Sequence, residues 1–203
     1  NPILNIVVKI PSQKKIVTEA TELFKKIHKG ITSYYENEPF YQALFLFGFT
    51  GRRKSEILNL KWENIDFTTN YYWLDKTKSG KQQRSPLPSM IKKQLLLIKD
   101  EHTGLVFKSP VTGGVIINID RQVRQLKKHI GTNDLSLHFM RNIVVSAYAE
   151  NGVSAIDLSG ILGHNDVNTI NKYLSLNTYK SGQVGLQAMD NILDVEIIDS
   201  KKA

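Results

Sequence analysis

Residues 137–173 read LHFMRNIVVSAYAENGVSAIDLSGILGHNDVNTINKY, and this stretch decides the fold. Leu137 to Asn151 carries apolar residues at helical spacing and ends at Gly152. Ser154 to Leu162 is a shorter helix that stops at Gly163, and Val167 to Leu174 is a weak third one. Residues with reactive side chains sit among these helices. His138 and Arg141 are three apart, so one helical face carries an imidazole and a guanidinium that converge. By itself that pair fits a surface histidine beside a salt-bridged arginine equally well. His164 follows a glycine turn, and Tyr173 lies nine residues further on.

Upstream, Thr50-Gly51-Arg52-Arg53-Lys54-Ser55-Glu56 is a Thr-Gly turn entering a helix. It places backbone N–H groups and arginines at a helix start, which favours anions. The competing reading is a solvated basic helix start. Between Glu63 and Leu87 the periodicity changes to short strands, with turns at Thr69-Asn70 and Ser79-Gly80. This predicts a three-stranded antiparallel sheet with Lys78, Ser79, Gly80 and Lys81 at the tip of its second hairpin. Further helices are expected at Thr18 to Lys29, capped by Thr18 and ended by Gly30, and at Pro39 to Phe49, Ser89 to Lys99 and Asp120 to Ile130. A last amphipathic helix is expected at Gln183 to Leu193. Residues 1–15, with Pro2 and Pro11, read as a linker or arm. The fold class is therefore mainly α with a small antiparallel sheet.

The 203 residues carry 27 Lys+Arg against 19 Asp+Glu, a net charge of +8. That length suits one domain with appendages, large enough to bury a core without staples. Residues 50–100 hold eleven Lys+Arg and five Asp+Glu, whereas residues 180–203 hold three Lys and four Asp+Glu. A polyanion-facing surface around the hairpin follows. The absence of cysteine excludes a disulfide framework, a thiolate zinc site and a cysteine nucleophile. The longest apolar stretch, Ala43 to Phe49, is too short to span a bilayer, so no membrane partner is expected. No P-loop and no GxGxxG turn is present, so nucleotide dependence is not signalled.

Taken together, the separated pieces hold what a phosphodiester transesterification needs. Two arginines neutralise the non-bridging oxygens. Histidines and a lysine move protons, and a tyrosine is a phenol that attacks phosphorus and later leaves.

The order and spacing resemble the tyrosine recombinases, the phage integrase and Xer-like family, over about residues 16–180. Arg53 matches the arginine of the family's Thr-Gly-x-Arg box, and Glu56 its acidic partner. Lys78 matches the hairpin lysine, with Lys81 as the nearby rival. His138 and Arg141 match the His-x-x-Arg box, His164 the following basic position and Tyr173 the nucleophile. Phe139-Met140 and Asn142 depart from the common pattern at positions without core chemistry.

The resemblance implies a DNA breaking and rejoining enzyme that needs no metal, ATP or other cofactor. Tyr173 would form a 3′-phosphotyrosyl link and Lys78 would protonate the leaving 5′-oxygen. Arg53 and Arg141 would hold the phosphate, His138 would accept the phenolic proton, His164 would hydrogen-bond an oxygen, and Glu56 would orient the first arginine. Arg52, Lys54, Lys81, Arg84, Arg121 and Arg124 are expected on the DNA-facing surface. The partner implied is a double-stranded DNA recombination site. Self-association to a tetramer on it would run through the C-terminal helix, with residues 181–203 docking in trans, although the same apolar face fits packing on its own domain equally well. A cytoplasmic, nucleoid-associated location goes with that. Since the family usually adds an N-terminal DNA-clamping domain, the chain reads as a catalytic fragment starting in the interdomain linker. A type IB topoisomerase-like enzyme and a catalytically inactive DNA-binding accessory protein are the alternatives. The run from Arg141 to Tyr173, which fits the pattern without a gap, favours the recombinase.

Overall fold

A computed structural model describes residues 19–74, 82–99, 103–162 and 189. The chain order is α1 (Ala20–Tyr34), α2 (Pro39–Leu46), a 3-10 turn (Phe47–Thr50), α3 (Lys54–Leu58), β1 (Ile65–Asp66), β2 (Tyr71–Leu74) and β3 (Gln83–Pro86). Then come α4 (Ser89–Ile98), α5 (Asp120–Ile130), α6 (Leu137–Glu150) and α7 (Ala155–Leu162). The expected architecture is present: helices around a small three-stranded antiparallel sheet in the order β1-β2-β3.

The centre of the fold is α6. Met140, Ile143, Val144 and Ala147 are buried along it and face α1 and the 3-10 turn. Ser136 starts this helix by accepting the Phe139 N–H at 3.0 Å. The aromatic run of α2 and the 3-10 turn is buried as expected, with Phe47 edge-on to both Tyr72 and Phe107. Each such fully buried large side chain contributes about 1.5–3 kcal/mol of transfer free energy. On the other side of α6, Val145 and Ala149 meet Leu158 and Leu162 of α7.

Two local expectations change. Gly30 does not end α1, which continues to Tyr34. It is instead a close approach, since a Cβ there would lie 2.3 Å from Ile130 Cγ1 of α5. The α2 helix stops at Leu46 and tightens into the 3-10 turn rather than running to Phe49. The first N–H groups of α1 are taken by a distant side chain, because Glu150 accepts from Ala20 N at 2.8 Å and Thr21 N at 2.8 Å. The arm at residues 1–15, Thr18, and the expected helix at Val167 to Leu174 lie outside the described residues. So does the helix at Gln183 to Leu193, apart from Met189.

Candidate active site

The Thr-Gly turn leads from the 3-10 turn into α3. Gly51 has φ 72°, the left-handed region that glycine enters freely. A Cβ on it would lie 2.6 Å from Leu162 Cδ2, at the end of α7. The turn therefore touches the helix that leads to Gly163-His164. Arg53 follows in extended backbone, and Glu56 folds back onto it. One Glu56 oxygen accepts the Arg53 N–H at 2.8 Å, and the other accepts from Arg53 Nη1 at 2.7 Å. The Glu56 side chain is 7% exposed and the Arg53 side chain 30%, so a buried carboxylate aims a guanidinium that still reaches solvent.

Arg141 is buried in α6, 6% exposed. Its Nη1 donates to the Gly51 carbonyl, and its Nη2 donates to the Leu162 carbonyl at 3.2 Å. Hydrogen bonds of this charge-assisted kind contribute about 1.5–3 kcal/mol each. One side chain thus ties together the Thr-Gly-x-Arg box, the His-x-x-Arg box and the last residue before Gly163-His164. His138 lies three residues earlier and is exposed, on the solvent side of the same helix.

The hairpin that carries the lysine segment is described at its base. Tyr72 pairs with Ser85, and Leu74 with Gln83. Lys78, Lys81, His164 and Tyr173 lie outside the described residues. Of the other expected DNA-facing residues, Lys54, Arg84, Arg121 and Arg124 are exposed. Arg84 lies 4.0 Å over the Tyr71 ring. Arg121 and Arg124 stand on the outer face of α5, whose inner face buries Val123, Leu126 and Ile130.

Arg52 is a correction. It is 3% exposed and faces the sheet, not solvent. Its Nε donates to the Tyr72 hydroxyl at 3.0 Å, Nη1 to Gln83 Oε1 at 2.7 Å and Nη2 to Ser85 Oγ at 2.5 Å. The hairpin supplies these acceptors, so in this arrangement the guanidinium is not offered to DNA. Sequence reasoning also passed over Tyr72, Gln83 and Ser85. The signal was period-two alternation, which puts Tyr72 of β2 and Gln83 and Ser85 of β3 on the inward face.

Residues 19–180 match the phage integrase family. The chain belongs to that family. It is 27% identical over 173 residues to a probable integrase/recombinase of Acholeplasma phage L2, covering 80% of this chain and 57% of the phage protein. It is 26% identical over 132 residues to a shufflon-specific DNA recombinase of Escherichia coli, covering 64% of this chain and 33% of that protein. The chain thus spans between a third and just over half the length of these curated relatives. Among solved structures, the fold is similar to XerH site-specific recombinase bound to palindromic difH substrate, with a TM-score of 0.69 at 18% identity. That similarity covers 88% of this chain and 55% of the XerH chain. It is also similar to the catalytic domain of bacteriophage HP1 integrase, with a TM-score of 0.57 at 16% identity over 82% of this chain and 91% of that one.

Proposed function

We propose that this phage integrase family chain is the catalytic part of a site-specific DNA recombinase that cuts and rejoins DNA through Tyr173. The observation that carries the reading is the Arg141 anchor. Its bonds to Gly51 O and Leu162 O tie the Thr-Gly-x-Arg turn and the residue before Gly163-His164 to the helix of the His-x-x-Arg box, which supports a shared phosphate site.

In this mechanism Arg53 and Arg141 neutralise the non-bridging oxygens and the charge of the pentacoordinate transition state. Glu56 holds Arg53 in place. The Tyr173 phenolic oxygen attacks phosphorus as His138 takes its proton. The P–O5′ bond breaks, and Lys78 delivers a proton to the departing oxygen. His164 hydrogen-bonds the phosphate. One phosphodiester replaces another, so attack by the 5′-hydroxyl of a partner strand reverses the step on a new duplex.

Residues 16–180 form the catalytic unit of this proposal. Residues 181–203, with Val184, Leu186, Met189, Ile192 and Leu193 on an amphipathic pattern, dock on a neighbouring protomer in a DNA-bound tetramer. Truncation after Ser181 should then abolish cooperative assembly in a DNA mobility-shift titration, and unchanged cooperativity contradicts the docking.

The test of the function uses nicked suicide duplexes with randomised arms. The unaltered chain should form a denaturant-resistant adduct that Tyr173→Phe abolishes, and should pass the cut strand to a second duplex. An adduct without such transfer favours strand swivelling, and no adduct contradicts catalysis.

A further inference from the structure

Arg52 is a buried cation with an unusual set of neighbours. Among the described residues no carboxylate pairs with it. Burying a guanidinium is costly even where its N–H groups are hydrogen-bonded, and an apolar side chain would fill such a site without that cost. What the guanidinium supplies is a rigid planar fork. The fork grips both strands of one hairpin, taking Tyr72 and Ser85, which are cross-strand partners, and Gln83. Gln83 passes the connection on, its Nε2 donating to Gly160 O of α7 at 2.9 Å. Two residues later the Leu162 carbonyl accepts from Arg141, and Arg141 also holds the carbonyl of Gly51, the residue before Arg52. The circuit is closed. It joins the arginine turn, the hairpin base, α7 and α6.

We propose that Arg52 is a positioning residue that clamps the β2–β3 hairpin against the arginine turn and α7, and so sets where the hairpin's lysine meets the leaving oxygen. The proposal rests on the recombinase reading above. Arg52 touches neither DNA nor the reacting atoms. Its effect falls on one event, the transfer of a proton from the lysine ammonium to O5′ as the P–O5′ bond breaks. A displacement of about 1 Å in such a group costs about 100-fold in rate.

The test compares two leaving groups. A nicked duplex captured by the unaltered full chain from the randomised pool is made with oxygen, and then with sulfur, at the scissile 5′-bridging position. A thiolate is a far weaker base than an alkoxide and leaves without protonation. Arg52→Met should slow single-turnover cleavage of the oxygen duplex by about 100-fold, while the sulfur duplex is cleaved near the unaltered rate. Lys78→Ala should show the same split, and Arg53→Ala should lose both substrates. Gln83→Leu keeps the charge, removes the link to Gly160, and should show the split in weaker form. It carries the test if thermal melting shows that Arg52→Met does not fold. Equal loss on both duplexes, or no loss on either, overturns the positioning role. Failure of the unaltered chain to capture any duplex contradicts the recombinase reading and the inference with it, whereas capture without a split contradicts only the inference.

Discussion

At the residue scale, two neighbouring arginines do different work. Arg53 sits in extended backbone, where successive side chains point to opposite sides. One of the pair therefore faces outward and the other inward. The Thr-Gly-x-Arg spacing singled out Arg53 as the match to the family's arginine, because the match depends only on local order, while both arginines were expected to face DNA. The inward fate of Arg52 was not legible, because its acceptors Tyr72, Gln83 and Ser85 lie 20 to 33 positions away. Arg141 was singled out by its His-x-x-Arg spacing, but its part as the anchor that joins Gly51 and Leu162 was not legible, since its acceptors are backbone carbonyls without a side-chain signature. Gly51 is the sharpest point of this contact. Gly51→Ala forces a Cβ to 2.6 Å from Leu162 Cδ2 at a φ of 72°. We expect a loss of about 1–3 kcal/mol of stability in denaturant unfolding, with slower adduct formation as the Arg141 anchor shifts. Unchanged stability would show that the contact is loose.

At the element scale, helices with their own start and stop signals were read closely. α5 begins at Asp120 and ends before Gly131 as expected, and Ser136 caps α6. The hairpin followed from alternation and turn residues. What failed was whatever depended on a partner element. Gly30 carries a stop signal locally, yet tertiary packing against Ile130 uses its missing side chain inside a continuous helix. The start of α1 depends on Glu150, at the far end of α6, which also accepts from Thr21 Oγ1 at 2.7 Å. This one carboxylate does for α1 what a local cap does elsewhere, and it locks the two helices end to end. Glu150→Ala should cost about 2 kcal/mol, read as a lower denaturation midpoint with an unchanged slope. A change within experimental error would mean that water replaces the cap at no cost.

At the scale of the whole molecule, composition and charge pointed to a polyanionic partner, and the family match gives that charge a context. The positive charge of residues 50–100 is divided in the structure. Arg52 is spent on internal architecture, while Arg53, Lys54 and Arg84 remain outward. Arg121 and Arg124 extend the outward set along α5. If both contact phosphates, Arg121→Ala and Arg124→Ala should each weaken DNA binding and lower the slope of log K against log salt by about 1. An unchanged slope would place α5 away from the backbone. Among the described residues, no helix is long and apolar enough to cross a membrane. In the proposed reaction these boxes serve one tyrosine. Digesting the covalent adduct and identifying the residue and the DNA end that are joined tests this most directly. We expect Tyr173 linked to a 3′-phosphate. Linkage through any other residue, or to a 5′-phosphate, would contradict it.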